Sequence, residues 1–262
     1  MVETGLKDKT VLITGASGGI GSVCAKTFAK EKANLVLHGY QNMNAIQKLH
    51  AELKVDTLPV RANLTDEEET KRLFNSAHKE FGAVDVLVAN AGIWPEENLS
   101  IVDMSLERWN KTIETDLTSV FLCSREFFRS IEKTQVDSPS LVVIGSTAAL
   151  FGEAGHADYS AAKAGVAYGL TKTLKNEIVR YAKKGRVNAV CPGWTKTSMA
   201  KSKMDGKAVD AAKLRTRSLK EIARPEDIAN AVLYLSSTKL AGHVTGEILT
   251  VSGGMEGRVI DI

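Results

Sequence analysis

Tyr159 and Lys163 stand four residues apart inside a run of good helix formers, Ala157 to Lys183. Side chains at that spacing share one helix face, so the phenol and the ammonium can address the same point. A free phenol loses its proton near pH ~10. A cation held beside it favours the phenolate and lowers that value. A phenol tuned in this way can exchange a proton with an alcohol or ketone near neutral pH. Ser146 lies thirteen residues upstream, at the end of the apolar run Leu141-Val142-Val143-Ile144. A hydroxyl at a strand end can hold and polarise a carbonyl oxygen. The chemistry these types suggest is proton transfer at a C–OH or C=O carbon. A lone Tyr-x-x-x-Lys pair carries little, because most are an exposed ring and a solvated charge. Its weight depends on the elements that position it.

The first of these elements is Thr10-Val11-Leu12-Ile13, a short β-branched run that reads as a buried strand. Thr14-Gly15-Ala16-Ser17-Gly18-Gly19-Ile20-Gly21 follows, and then an amphipathic helix to about Lys32. Strand, glycine-rich turn and helix make the first half of a dinucleotide-binding unit. Gly15 permits the tight turn, Gly19 lets backbone approach a pyrophosphate, and Gly21 lets the helix pack on the strand. Ser17, Gly18 and Ile20 lie between them, at a helix start whose free N–H groups and dipole favour phosphate. The spacing is G-x-x-x-G-x-G, not the G-x-G-x-x-G of longer-chain dehydrogenases.

Asn34 to His38 is the second strand, and its end selects the cofactor. An acid there binds the adenosine ribose of NAD, whereas an Arg takes the 2′-phosphate of NADP. The residues present are His38, Gly39, Tyr40 and Gln41. The absence of an anion-binding Arg favours NAD, while a partly charged His38 keeps NADP open. A helix over 42–53, a strand over 57–61 and a helix over 67–81 continue the alternation. Asn63 and Leu64 close the third strand, where an adenine can rest. The fourth strand, 85–89, ends in Asn90-Ala91-Gly92, which adds little bulk beneath a cofactor ribose.

A long helix over 106–132 carries Asp116. The Ser146 strand, the Tyr159 helix and a sixth strand, 186–190, follow. Pro192, Gly193, Thr195 and Thr197 then form an irregular turn able to meet a nicotinamide carboxamide. The stretch 198–219 reads as one or two helices, with Lys201, Lys203, Lys207, Lys213, Arg215 and Arg217 against few acids. It is either a solvated face or a basic lid, near 195–220, over the substrate. Arg224-Pro225-Glu226-Asp227 opens a helix running to about Ser237, and 246–251 is the last strand. Ala148, Leu150, Phe151, His156, Trp94 and Trp194 are expected to line the substrate pocket.

The β-α rhythm without an interdomain linker predicts an α/β fold. It is a single Rossmann-type doubly wound domain over 1–262, with a central parallel sheet of about seven strands. Ligand then binds at the carboxyl ends of the strands, where Gly15, Asn90, Ser146 and Pro192 all fall. A net charge of +3, with both signs dispersed, argues against a nucleic-acid footprint. The three cysteines, Cys24, Cys123 and Cys191, sit in apolar segments and suit a reducing compartment. With no signal peptide and no apolar run near ~20 residues, no membrane is expected and the location is read as cytoplasmic. The scattered histidines offer no metal site.

Together these motifs resemble the short-chain dehydrogenase/reductase family over almost all of 9–254. The resemblance rests on Thr14-Gly15-x3-Gly19-x-Gly21, Asn90-Ala91-Gly92, Ser146, Tyr159-x3-Lys163, Pro192-Gly193 with Thr197, and Arg224-Pro225-Glu226-Asp227. It implies that Tyr159 is the general acid/base. Lys163 would lower its pKa and hold the nicotinamide ribose, and Ser146 would orient the carbonyl. Hydride would pass to or from nicotinamide C4. The substrate would be a small carbonyl or secondary alcohol, as in the 3-oxoacyl reductase and 3-hydroxyacid or polyol dehydrogenase branches. The resemblance also implies a homotetramer, or a homodimer. Two positions depart from the family. Asp116 stands where most members have an asparagine that supports a proton relay from the lysine. An ionised aspartate there favours charged lysine, opposes the phenolate and alters the pH profile. Asn63 replaces the usual aspartate at the adenine and keeps both a donor and an acceptor.

Two other functions fit parts of the chain. A non-catalytic dinucleotide-binding redox sensor would use the same fold, but such proteins commonly lose the tyrosine or lysine present here. A hydrolase with Ser146 as nucleophile and His156 as base lacks the G-x-S-x-G elbow and leaves the glycine turn unexplained.

Overall fold

A computed structural model describes residues 3–197 and 214–256. Seven strands form one sheet: β1 Thr10–Ile13, β2 Asn34–Gly39, β3 Thr57–Arg61, β4 Val86–Ala89, β5 Ser140–Ile144, β6 Arg186–Pro192 and β7 Ile248–Val251. Their order is β3-β2-β1-β4-β5-β6-β7, and every neighbouring pair is parallel. Parallel strands need crossovers, which place helices on both faces. That is why Val11, Leu12 and Ile13 are all fully buried rather than alternating in and out.

Successive residues feed opposite cores. Leu12, Leu87 and Leu141 meet α3 (Glu67–Phe81) and α5 (Ser119–Thr134) through Leu73, Phe74 and Phe127. Ile13, Leu35 and Val88 meet α1 (Gly19–Lys30), α2 (Met43–Glu52) and a later helix, Pro225–Ser236, through Phe28, Ile46 and Val232. Each such side chain contributes about 1.5–3 kcal/mol by leaving water.

The two long helices of the sequence reading each contain a π-helical stretch. Leu106–Ile113 (α4) continues through Glu114–Thr118 into α5. After a short helix at Ala148–Phe151 (α6), Ala157–Ala164 (α7) continues through Gly165–Leu170 into Thr171–Glu177 (α8). Such bulges occur often at functional sites, and these two stretches meet at Gly165 and Leu117. A Cβ on Gly165 would lie 3.1 Å from Leu117, so the glycine lets the rods approach. Pro225–Ser236 (α9) and Thr238–Ala241 (α10) complete the described helices.

The strand order reverses between β1 and β4, which opens a crevice at their carboxyl ends. Of the basic segment, residues 198–213 lie outside the described residues, Lys201, Lys203, Lys207 and Lys213 included. Arg217 corrects the expectation of a solvated face. It is 1% exposed, and its guanidinium donates to the Glu221 carbonyl at 3.2 Å.

Candidate active site

The glycine-rich turn is fastened to the loop after β4. Asn90 donates its side-chain amide to the carbonyls of Thr14 and Gly15, at 3.0 and 3.2 Å. The Thr14 hydroxyl accepts from the backbone N–H groups of Asn90 and Ala91, at 2.9 and 3.0 Å. No side chain larger than hydrogen fits at Gly15, with φ of 65° and a virtual Cβ 2.9 Å from the Ala91 Cα. At Gly21 a Cβ would come within 2.3 Å of the Gly15 carbonyl. Helix α1 starts at Gly19 with no side-chain cap, so its first N–H groups face the crevice.

A cavity of about 660 Å³ runs from this turn to Tyr159. Ser17, Gly18, Gly19 and Ile20 line it at the glycine-rich turn, with His38, Tyr40 and Asn63 beside that turn. Ala91, Gly92, Pro192, Gly193, Thr195 and Thr197 line the middle, and Ser146, Tyr159 and Lys163 the opposite end. The size, the bare helix start and the side-chain-free cradle fit a dinucleotide. Three sequence candidates do not reach the cavity. Gly21 lies beneath the turn, Leu64 is 6% exposed in the core, and Asp116 stands behind Lys163. Trp94 and Trp194 line the cavity, whereas Ala148, Leu150, Phe151 and His156 do not. Leu150 packs on the core, Phe151 turns to solvent and His156 is buried under Trp94.

His38 corrects the reading of a partly charged group. Its Nδ1 accepts from the Gly15 N–H at 3.1 Å, which leaves Nε2–H to donate to the Ala62 carbonyl at 2.9 Å. That fixes the neutral tautomer, and burial holds its pKa below the ordinary value. The imidazole braces the turn and offers no positive charge to a 2′-phosphate. Asn63 is half-buried at the cavity wall, its side-chain oxygen accepting from Thr65 N–H at 3.2 Å and Thr65 hydroxyl at 2.9 Å.

At the end opposite the glycine-rich turn, Lys163 Nζ lies 5.7 Å from the Tyr159 ring centre. It also lies 3.3 Å from Asp116 Oδ2, and it donates to the Ile144 carbonyl at 3.3 Å. The π-helical turn directs Asp116 inward, where it is fully buried and its Oδ1 accepts from Ile93 N–H at 2.7 Å. The Ser146 hydroxyl accepts from Ala148 N–H at 3.1 Å and acts to lower the phenol pKa. Burial raises the Asp116 pKa, against the pull of Lys163. Burial disfavours the Lys163 ammonium, but Asp116 and then Tyr159 outweigh it and the net shift is upward. The Tyr159 phenol differs from the sequence expectation. Loss of water raises its pKa, Lys163 lowers it, Asp116 raises it again, and the balance is upward. A partner carboxylate on the lysine cancels part of the cation's effect on the phenol.

Sequence reasoning missed the strut behind this group. Asp158, next to Tyr159 and fully buried, pairs with Arg108 at 2.8 Å and accepts from the Thr112 hydroxyl at 2.7 Å. Burial works against its charge, but the Arg108 and Thr112 hydrogen bonds prevail and its pKa is lowered. Arg108 and Asp158 are fifty residues apart, and no local pattern links them.

A family model described as enoyl-(acyl carrier protein) reductase matches residues 15–256. A 3-oxoacyl-(acyl-carrier-protein) reductase of Synechocystis sp. is 34% identical over 256 residues, 96% of this chain and 98% of that protein. A cis-4-hydroxycyclohexanecarboxylate dehydrogenase of Sinomonas cyclohexanicum is 36% identical over 250 residues, 94% of this chain and 96% of that protein. Among solved structures, 7 alpha-hydroxysteroid dehydrogenase complexed with NADH and 7-oxo glycochenodeoxycholic acid superimposes with a TM-score of 0.88. It is 30% identical, and the match covers 97% of this chain and 96% of that one.

Proposed function

The chain belongs to the short-chain dehydrogenase/reductase family, and from that premise we propose that Tyr159 is the general acid/base of an oxidoreductase moving hydride between a nicotinamide cofactor and a small carbonyl or secondary alcohol. Relatives named as a 3-oxoacyl reductase and a hydroxycyclohexanecarboxylate dehydrogenase, and a hydroxysteroid dehydrogenase complexed with NADH, support NAD(P)-dependent oxidoreduction on CH–OH groups for this chain. The reading of Tyr159 rests on one observation. The phenol, the Ser146 hydroxyl and the Lys163 ammonium line one end of the cavity whose other end is the glycine-rich turn.

When bound, the nicotinamide supplies the carbon that accepts or donates hydride. Gly15, Gly19 and the start of α1 would hold the pyrophosphate of the dinucleotide, while Pro192, Gly193, Thr195 and Thr197 border the middle of the cleft. In the oxidative direction the Tyr159 phenolate takes the alcohol proton. Ser146 hydrogen-bonds the same oxygen and keeps it in reach. Lys163 stabilises the phenolate through its charge, and Asp116 keeps the lysine charged. In the reductive direction the phenol returns the proton.

NAD is the preferred cofactor in this reading, because His38 is neutral and Gly18 is not basic. Three buried free thiols, Cys24, Cys123 and Cys191, support a cytoplasmic location. Among the described residues no helix is long and apolar enough to cross a membrane. A homotetramer or homodimer is the proposed assembly, with the exposed rings of Phe121, Tyr168 and Tyr181 as candidate contacts.

The test is a fluorescence titration with NADH and NADPH, followed by turnover on a panel of secondary alcohols and ketones. Tighter NADH binding and measurable turnover are expected. Dinucleotide binding with no turnover on any panel member would instead favour the redox-sensor function.

A further inference from the structure

The reacting end of the cleft carries a wall that proton and hydride transfer do not require. The Trp94 indole stacks on the buried His156 imidazole, with ring centres 4.9 Å apart and planes 13° apart. Trp194 meets it edge-on at 5.6 Å. His156 faces the Pro95 carbonyl through Nε2 at 2.9 Å, which ties the loop bearing Trp94 to the start of α7. Trp94 Nε1 donates to Glu153 Oε2 at 3.3 Å. The Glu153 backbone N–H donates to the Ser160 hydroxyl at 3.0 Å, beside Tyr159.

The Glu153 carboxylate, held through Oε2 by the Trp94 indole, lines the cleft with Trp94 and Trp194. Its Oε1 lies 3.8 Å from His156 Nδ1, beyond hydrogen-bond length, and accepts no hydrogen bond among the described residues. Its charge is felt at the Tyr159 phenol. An acceptor oxygen held beside flat aromatic walls suits a ring that brings a hydroxyl donor. The same oxygen repels a substrate carboxylate placed there.

We propose that the substrate is an uncharged cyclic alcohol bearing a second hydroxyl, that its ring packs against the Trp94–Trp194 wall, and that the second hydroxyl donates to Glu153. Glu153 is thus a specificity residue selecting diols over hydroxy acids. This rests on the oxidoreductase reading of the same cleft, and it sets the chain apart from the relative named for a hydroxycyclohexanecarboxylate.

The test compares cyclohexanol, the 1,2-, 1,3- and 1,4-cyclohexanediols and 4-hydroxycyclohexanecarboxylate. Binding to the NADH-loaded protein is followed by tryptophan fluorescence, and oxidation with NAD by absorbance. A hydrogen bond to a charged acceptor corresponds to about a tenfold or larger preference. The best diol is expected to bind at least tenfold tighter than cyclohexanol, with the acid weakest. In Glu153→Ala the diol-to-cyclohexanol ratio should collapse toward one, and in Glu153→Lys the acid should overtake the diol. An acid binding as well as the diol in wild type, or a ratio that survives Glu153→Ala, overturns the proposal. Absence of turnover with the binding order intact counts against the oxidoreductase reading and upholds the diol preference.

Discussion

Replacing Asp116 by asparagine removes one charge and keeps the shape. The amide oxygen introduced by Asp116→Asn can still accept from Ile93 N–H, where Oδ1 now does at 2.7 Å, so the loop after β4 stays held. The carboxylate lies 3.3 Å from Lys163 Nζ, which is 5.7 Å from the Tyr159 ring centre, so carboxylate and ring are within about 9 Å. Two unit charges ~9 Å apart at an effective dielectric of about 20 interact by about 2 kcal/mol, a little over one pK unit. The carboxylate raises both the phenol and the ammonium pKa, so its loss lowers both. Oxidation needs the phenolate and is helped by the charged lysine, so the active pH window moves down as a whole. The assay is kcat/KM for alcohol oxidation across pH 5.5–10.5 with saturating cofactor. The acid limb of Asp116→Asn should fall about one unit below that of wild type, and at pH values on that limb the variant should run about tenfold faster. As pH falls through the Asp116 pKa, which burial holds above the ordinary carboxylate value, the wild type protonates and the two proteins converge. A limb that stays in place or moves upward refutes the electrostatic account of this site.

Gly21→Ala would set a methyl 2.3 Å from the Gly15 carbonyl and 2.8 Å from the Asn90 amide. It should cost about 1–3 kcal/mol in urea unfolding and weaken NADH binding at least tenfold; wild-type values on both would contradict the cradle described. Arg108→Ala leaves the fully buried Asp158 without its cation and should cost about 3–5 kcal/mol at pH 7. Because the folded pKa of Asp158 is depressed, that stability is present above its unfolded value near ~3.9 and is lost as pH falls through the folded pKa. Unfolding at pH 7 and pH 3 should show the gap narrowing in acid, and an equal gap at both would assign the loss to packing.

The parallel sheet was legible because its cue is local. Val11 to Ile13 and Leu141 to Ile144 are short apolar runs followed at once by turn residues, and both are strands buried on two faces. The tight glycine-rich turn was legible for the same reason, since Gly15, Gly19 and Gly21 are three absences of a side chain at fixed spacing. What escaped are contacts between distant segments. The neutral state of His38 depends on the Gly15 N–H and the Ala62 carbonyl. The upward shift of Tyr159 depends on burial, which residue types do not report. The inward turn of Asp116 depends on a π-helical register that helix spacing alone does not contain. Arg217 carries a charge that composition assigns to solvent and the fold encloses.

The most direct test of the central claim is Tyr159→Phe, which removes one oxygen and leaves the ring. Single-turnover oxidation and an NADH titration are measured on the same preparation. The account predicts a fall in the chemical step of about 10²–10⁴-fold with NADH affinity kept within about threefold. A variant that retains turnover within tenfold of wild type would show that the proton is carried elsewhere and that the cleft works by another chemistry.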